Sequence, residues 1–229
     1  MAYFRYANKL KKEKDPKSIV LLHFEDDFIN NEITDANGNI FTKTDTNIKI
    51  DPESYFGANS LYMNNGRLQS QVIDSLYFGS GDFTIDLWVK MGGYNRECPI
   101  GLYYGGILID INNLYPRMWF LNEQGNAWIV GGDDDSGKST LSIPMNEWAH
   151  IAYVRNGEYI TLYVNGKVGR RQNIGNAVQW EQLGKVAVRL GQWDINGLYQ
   201  YQGYIDEVRI VNKAIWTDEF TPPTRPYNN

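Results

Sequence analysis

The sequence predicts an all-β fold built as an antiparallel β-sandwich, and three observations lead to this prediction. Apolar and polar residues alternate through 159–164, which is the period of two that a half-buried strand shows. Turn-forming pairs such as Asn156-Gly157 and Asn165-Gly166 recur between short apolar runs along the chain. The chain shows no convincing 3.6-residue period. Many short strands separated by turns are typical of two sheets packed face to face.

The apolar runs and the turns between them predict the following strands: 18–24, 46–50, 59–63, 83–91, 107–111, 116–121, 126–130, 138–143, 148–155, 158–165, 185–191 and 203–211. Strand 83–91 has the clearest two faces. Its core-facing residues are predicted to be Phe83, Ile85, Leu87, Val89 and Met91. Its other face, turned outward or toward an adjoining element, is predicted to carry Thr84, Asp86, Trp88 and Lys90.

The 229 residues, of which 42% are hydrophobic and 14% aromatic, suit one globular sandwich domain. We expect this domain to cover 18–229, preceded by a polar arm at 1–17 that Asp15-Pro16 closes. The arm has a net charge of +4, whereas the whole chain carries −5, so the rest carries −9. Such a basic arm predicts either docking to an acidic neighbour, including a second copy of the domain, or a solvated terminus. The candidate docking residues are Arg5, Lys9, Lys11, Lys12 and Lys14.

Composition also argues against several classes of protein. An acidic chain lacks the basic face that nucleic-acid binding needs, so we expect no nucleic-acid partner. Cys98 is the only cysteine, so no internal disulfide can form. The charges of its neighbours Arg96 and Glu97 roughly cancel, which favours a small buried or loop residue over a nucleophile. Neither a secretory signal nor an apolar run of membrane-spanning length is visible. We therefore expect a protein made in the cytoplasm without membrane insertion.

Five blocks of the sequence together resemble one family. They are LLHFEDDF at 21–28, FGANSLYM at 56–63, GDFTIDLWVK at 81–90, WAHIAYVRNGEYITLYVNG at 148–166 and GYIDEVRIVNKAIWTDEFTPP at 203–223. This pattern resembles the laminin-G-like domains of the concanavalin A-like lectin/glucanase superfamily, in the form found in bacteriophage structural proteins. The resemblance implies a concanavalin A-like jelly roll. It identifies a fold much better than an activity.

Enzymes share this fold, but the sequence favours a protein without catalytic activity. Retaining glucanases of the superfamily place two Glu and one Asp alternately on one strand, about 5 Å apart, and no such run is present here. Asp206 and Glu207 are adjacent, so on a regular strand they would point to opposite faces. His23 and His150, the only histidines, both lie in predicted strands and are interpreted as structural.

Calcium is the one cofactor that the sequence suggests, as structural support that many laminin-G-like domains have. Asp26 and Asp27 follow the first strand, whereas Asp206 and Glu207 lie in the last. Terminal strands tend to pair in sandwiches of this type, so these acids would converge and offer hard oxygen ligands. Alternatively, Glu207 forms an ion pair with an arginine. A second candidate source of ligands consists of the three aspartates at 133–135, for which a solvated turn is the favoured interpretation.

Aromatic and polar residues occur together in the segments 94–104 and 193–204 and around Trp128, as in sugar-binding loops. The candidate carbohydrate-binding residues are Trp193, Asp194, Asn196, Tyr199, Tyr201 and Trp128. The alternative is that these rings pack against an oligomeric or virion neighbour.

The sequence therefore predicts a non-enzymatic bacteriophage virion protein, whether capsid-decorating, tail or fibre-associated, that displays a lectin-like adhesive domain. Its expected partners are other virion proteins bound through the arm, host-surface glycan, and further copies of itself in a homo-oligomer. One alternative is a free-standing lectin or enzyme accessory module. A glycan hydrolase is the least favoured.

Overall fold

The computed structural model describes residues 16–123, 128–131, 135–182, 184–193 and 199–228. Within them the chain forms two eight-stranded sheets, whose named strand pairs are all antiparallel. This confirms the predicted all-β sandwich. A 3-10 helix at Asp74–Leu76 interrupts the strands. No helix in the described part of the chain is long and apolar enough to cross a membrane. The predicted docking residues Arg5, Lys9, Lys11, Lys12 and Lys14 lie outside the described residues.

The strands, numbered in chain order, are β1 Val20–Leu22, β2 Glu32–Thr34, β3 Ile40–Lys43, β4 Ile48–Asp51, β5 Ser60–Asn64, β6 Leu68–Ser70, β7 Phe83–Met91, β8 Glu97–Tyr103, β9 Ile107–Asn112, β10 Tyr115–Leu121, β11 Trp128–Val130, β12 Trp148–Asn156, β13 Tyr159–Val164, β14 Lys167–Asn173, β15 Ala187–Leu190 and β16 Gln202–Val211. Sheet A has the order β14-β13-β12-β7-β16-β5-β4, with β1 also paired to β16. Sheet B has the order β11-β10-β9-β8-β15-β6-β3-β2. The pairing of β1 with β16 brings the first and last strands together, as the sequence analysis expected.

The hydrophobic core lies between the two sheets and takes one face of every strand except β14. On β7, the five residues predicted to face the core are all buried there. The other face of β7 is buried as well, except for the partly exposed Lys90, because residues 53–58 and the C-terminal segment 212–228 (the C-terminal tail) cover it. Trp88, for example, stacks on Tyr55 with ring centroids 3.5 Å apart.

The C-terminal tail is held to sheet A by aromatic packing and hydrogen bonds. Trp216 and Phe220 stack in parallel with centroids 3.9 Å apart, and Phe220 also meets Tyr163 of β13 edge-on at 5.3 Å. Near the end of the tail, the backbone N–H of Tyr227 donates to Glu207 Oε2 at 2.9 Å. The tail is therefore part of the folded domain.

The strand prediction for 138–143 is wrong. This segment makes only an isolated bridge between Arg117 and Lys138, and Ser139 Oγ bonds locally with the backbone of Leu141. Such local bonds compete with a strand ladder.

The sequence analysis also missed β2, β3, β6, β8 and β14. β14 is polar because it lies at the edge of sheet A, where charged residues are common. β8 contains Pro99, which a register shift between Glu97 and Ile100 accommodates.

Candidate functional site

Four aromatic rings cluster on the outer face of sheet B, and we call them the aromatic shelf: Trp119, Trp128, Trp193 and Tyr199. Trp119 points outward from β10 because its neighbours Met118 and Phe120 point into the core. Trp128 meets Trp119 edge-on at 5.1 Å and Trp193 at 5.8 Å. Trp119 is nearly covered, whereas the other three rings remain partly exposed. The shelf therefore offers rings to a ligand.

A buried carboxylate beneath the shelf fixes its geometry. Asp110 on β9 is fully buried and accepts hydrogen bonds from Arg96 Nε at 2.5 Å, Arg117 Nε at 3.0 Å and Trp119 Nε1 at 3.1 Å. Arg96 also donates to the hydroxyl of Tyr199 at 2.9 Å, and its guanidinium lies 4.0 Å from the centre of that ring. Trp119 and Tyr199 are thus held in place by charge-assisted bonds before any ligand arrives, Trp119 through Asp110 and Tyr199 through Arg96. Trp128 and Trp193 are placed by packing around Trp119.

Cys98 lies buried on the same face of sheet B, packed with Leu108 and Trp119. Burial raises the pKa of its thiol well above the ordinary value, so the side chain stays protonated. This agrees with its interpretation as a buried residue and not a nucleophile.

Of the predicted sugar-binding residues, the structure brings together Trp128, Trp193 and Tyr199. Asp194 and Asn196 lie outside the described residues. The prediction that Tyr201 binds sugar is wrong. Tyr201 is fully buried in the core, and its hydroxyl donates to the carbonyl of Tyr204 at 2.9 Å. It cannot contact a ligand at the surface.

Four members of the site were not predicted from the sequence: Trp119, Asp110, Arg96 and Arg117. A signal was present, because Asp110 and Arg117 are single charges within otherwise apolar predicted strands. Their partnership depends on the β9–β10 register, which places Arg117 directly opposite Asp110. That register could not be read from the sequence.

A second polar cluster lies under the C-terminal tail, on the outer face of sheet A. Asp86 is fully buried and accepts from Arg209 Nε at 3.0 Å, contacts His150 Nε2 at 3.3 Å and bonds to the hydroxyl of Tyr227. Burial alone would raise the pKa of Asp86, but Arg209 and His150 outweigh it and the pKa is lowered. Asp86 and His150 are fully buried beneath the tail, so their bonds stabilise the packing of the tail on sheet A.

His23 also bonds to a buried carboxylate, since its Nδ1 lies 2.6 Å from Glu207 Oε1. This hydrogen bond raises the pKa of His23 against the opposing effect of burial. Both histidines are therefore hydrogen-bonded to buried carboxylates, a pairing that the sequence did not predict.

The expectation that Asp206 and Glu207 point to opposite faces is wrong. β16 has a bulge between Asp206 and Arg209, where Glu207 takes a left-handed conformation with φ of +50°. Asp206 accepts from the backbone N–H groups of Tyr55 and Phe56, and Glu207 accepts from Tyr227, so both reach the covered outer side. Burial raises the pKa of Asp206 to about 7.

The four acids predicted to hold calcium do not converge. Asp26 and Asp27 are exposed, and Asp27 accepts from the neighbouring backbone of Phe28, whereas Asp206 and Glu207 already bind protein donors. Across the described ranges, no group of three or more His, Cys, Asp or Glu side chains is arranged to hold a metal ion. In the acidic segment 133–135, the described residue Asp135 pairs with Arg117 and Lys138. These residues do not fit a calcium site, and calcium binding by the protein stays a prediction.

Comparison with known families identifies the class of protein. A laminin-G-like family profile, described as "Concanavalin A-like lectin/glucanases superfamily", matches residues 64–219, which is more than half of the chain. The chain therefore belongs to the laminin-G-like domains of this superfamily. None of the curated proteins matches it.

Several solved structures share the fold. The binding domain of botulinum neurotoxin serotype G has a TM-score of 0.62 and 15% identity, covering 87% of this chain and 49% of that one. Domain 4 of AbnA, an extracellular arabinanase from Geobacillus stearothermophilus in complex with arabinotriose, has a TM-score of 0.60 and 17% identity, covering 87% and 94%. The serotype D ligand-binding domain in complex with N-acetylneuraminic acid has a TM-score of 0.59 and 16% identity, covering 87% and 48%. The chain thus spans about half the length of the neurotoxin domains.

Proposed function

We propose that this chain is a non-enzymatic, lectin-like module that binds glycan at the aromatic shelf. The observation that carries the proposal is the set of three partly exposed rings packed around Trp119. Beneath them, buried Asp110 anchors Trp119 directly and Tyr199 through Arg96. Sugars present apolar C–H faces that stack on such rings, and hydroxyl groups that hydrogen-bond to nearby polar side chains. Arg96, partly exposed beside Tyr199, supplies donors at the same place.

The fold relatives support this reading. Arabinotriose and N-acetylneuraminic acid are the ligands in two of them, and those two structures are an arabinanase domain and a neurotoxin ligand-binding domain. Both ligands are carbohydrates, although they differ in charge and ring type. Glycan is therefore the first class of ligand to test on this chain.

The carboxylate at the shelf favours binding over hydrolysis. Asp110 is fully buried, and its two oxygens accept from Arg96, Arg117 and Trp119, so neither oxygen is directed at a substrate. A retaining glycosidase needs two carboxyl groups about 5 Å apart, on opposite sides of the scissile bond. The adjacent pair Asp206 and Glu207 lies covered on the other sheet.

We further propose that the module is displayed on a bacteriophage particle, as a capsid-decorating, tail or fibre-associated protein attached through residues 1–17. The resemblance of the five sequence blocks to phage structural proteins and the opposite charges of arm and domain support this placement. A free-standing lectin or an enzyme accessory module would have the same shelf without needing the arm.

The aromatic shelf can be tested by substitution. Trp193→Ala and Trp128→Ala should each weaken glycan binding about tenfold or more, because each removes a stacking ring. Binding would be screened on a glycan array and measured by titration calorimetry. Tyr159→Ala, which removes a partly exposed ring from β13 of sheet A, is the matched control and should bind like the wild type.

Two outcomes would contradict the proposal. One is a wild-type protein that binds no glycan on the array, and the other is undiminished binding by both tryptophan variants when they melt like the wild type. If Trp193→Ala lowered the mass of the protein in solution from that of an oligomer to that of a single chain, the shelf would instead pack against a second copy of the chain.

A further inference from the structure

We propose that a polar cleft at the opposite end of sheet B is a second sugar subsite, so that the protein binds a linear oligosaccharide lying across the strands and not a single terminal sugar. This inference rests on the proposed glycan-binding function and specifies its ligand. The cleft lies between β2, β3 and β6, whereas the aromatic shelf lies around β8 to β11. Nothing in the sequence pointed to the cleft.

Strand register connects the two ends. The pairings align one residue from each of seven neighbouring strands in a single row. Each has at least one residue of the hydrophobic core as its neighbour on the strand, which places the row on the outer face of sheet B. In order across the sheet, the row consists of Trp119, Leu108, Gly101, Arg189, Gln69, Thr42 and Glu32.

The length of this row suits a chain of sugars. Neighbouring strands lie about 4.8 Å apart, so the four intervals from Gly101 to Glu32 span roughly 19 Å. That distance is several times the width of one sugar ring. A ligand that touches both the shelf and the cleft must therefore be an oligomer.

The middle of the row joins shelf and cleft through Arg189. This buried guanidinium lies 3.4 Å from the ring centre of Tyr103 and donates to the carbonyl of Trp193 at 3.2 Å. Its Nε and Nη2 donate to Gln69 Oε1 at 3.0 and 2.7 Å. The amide oxygen of Gln69 is thus occupied, which orients its NH2 group as a donor. Arg189 is a positioning residue, because it acts through Gln69 and Trp193.

Gly101 lets the Trp193 indole pack against the row beside the shelf. A Cβ atom at this position would lie 3.6 Å from Cε3 of Trp193, so the indole lies over the glycine backbone. The Trp193 ring is thereby placed at the start of the path that leads from the shelf to Gln69. This arrangement gives the path one apolar end and one polar end.

The cleft itself has the chemistry of a hydroxyl-rich ligand. It has a volume of about 360 Å³ and is lined by Glu32, Thr42, Thr44, Arg67, Gln69 and Gln71, among others. These side chains offer hydroxyls, amides, one carboxylate and one guanidinium. Arg67 Nε is a buried donor with no hydrogen-bond partner among the described residues. Opposite charges and neutral groups side by side favour a neutral sugar over a simple anion or cation.

The experiment is a chain-length series. Arabino-, xylo-, cello- and chito-oligosaccharides from disaccharide to hexasaccharide, together with sialyllactose, would be titrated into the full chain by calorimetry. For any series that binds, we expect the hexasaccharide to bind at least tenfold more tightly than the disaccharide. Thr42→Val and Gln69→Ala should each weaken hexasaccharide binding about tenfold and leave disaccharide binding unchanged. Trp193→Ala should weaken both.

Controls separate this inference from the proposed function. Thr42→Val removes an exposed hydroxyl that makes a long contact of 3.5 Å with Glu32 Oε1, and it keeps a β-branched side chain. Folding should therefore be unaffected even if Gln69→Ala disturbs Arg189. Gln172→Ala removes an amide from β14 of sheet A and should have no effect on binding. Equal affinity for disaccharide and hexasaccharide, or full hexasaccharide binding by Thr42→Val and Gln69→Ala, would overturn the second subsite while leaving the shelf. Failure of the wild type to bind any of these sugars, together with silence on the glycan array, would overturn both proposals.

Discussion

At the scale of single residues, the buried acid Glu97 illustrates how burial without a cationic partner affects stability. Its Oε2 accepts the backbone N–H of Gln202 at 2.9 Å, and its Oε1 lies above Gly93, where a Cβ atom would collide with it. Loss of solvation raises its pKa to about 7, against only a partial opposing effect of the Gln202 bond. The folded protein therefore holds this carboxyl in an unfavourable state whenever it is ionised.

The pH dependence follows from that direction. A raised carboxyl pKa means that the folded state binds the proton more tightly than the unfolded state, so stability falls as pH rises from about 4.5 to about 7. Asp206, with its pKa also raised to about 7, acts in the same sense. The raised pKa of His23 also makes stability fall as pH rises, because the pairing of His23 with Glu207 stabilises the fold only while the imidazole is protonated.

We therefore predict that the melting temperature is lower at about pH 8 than at about pH 5. Glu97→Gln should raise the melting temperature at the higher pH and leave it nearly unchanged at the lower, because the amide can still accept from Gln202 without ionising. Thermal unfolding followed by circular dichroism measures both. Equal pH dependence in wild type and variant would show that Glu97 is not the source of the effect.

At the scale of structural elements, the C-terminal tail accounts for the burial of the outer face of sheet A. Phe220 lies at its centre, stacked on Trp216, edge-on to Tyr163 and 5.8 Å from the ring of His150. Its backbone N–H donates to the carbonyl of Gly166 at 2.9 Å, in the turn between β13 and β14. Removing the ring should loosen the tail from the sheet.

We predict that Phe220→Ala lowers the free energy of unfolding by about 2 kcal/mol, less than for a fully buried phenylalanine because the ring is half-buried. Urea denaturation measures the loss, and limited proteolysis should cut the tail faster. Phe220→Leu keeps an apolar contact and should lose less stability. If alanine cost no more than leucine and the tail stayed protected, aromatic packing would not be what holds it.

The strands differ in how well the sequence predicts them, and β7 and β14 show why. β7 alternates clearly because one of its faces is wholly apolar, so both its position and its core face could be predicted. β14 reads KVGRRQN and buries little, so its strand conformation depends on hydrogen bonding to β13. Polar edge strands carry little pattern of their own, because neighbours and not side chains determine them.

The candidate site likewise has one part that local sequence predicts and one part that depends on which strands are neighbours. Trp128, Trp193 and Tyr199 were recognisable as candidates because aromatic residues beside turns are unusual enough to be noticed. Their grouping with Asp110 and Arg96, and the row that ends at Thr42, required knowledge of which strands are neighbours. Register between distant segments is set by the packing of the whole sandwich, so local sequence could not supply it.

At the scale of the whole molecule, charge is divided between the two parts of the chain. Residues 1–17 contain six basic and two acidic side chains, a net charge of +4, so residues 18–229 carry −9 of the total of −5. Opposite charges attract across short distances in low salt and are screened at high salt. The arm of one copy is therefore complementary to the domain of another.

We predict that the full chain self-associates in about 0.05 M salt and dissociates in about 0.5 M salt, whereas a chain lacking residues 1–17 is monomeric in both. Light scattering after size-exclusion chromatography measures the masses. A full-length variant with Lys9, Lys11, Lys12 and Lys14 each replaced by Gln keeps the length of the arm and should behave like the deletion. The deleted chain should keep its glycan affinity, because the shelf lies wholly within the domain. Association that persists after the lysines are replaced would show that the contact is not electrostatic, and identical masses for all three proteins would show that the arm does not bind a second copy.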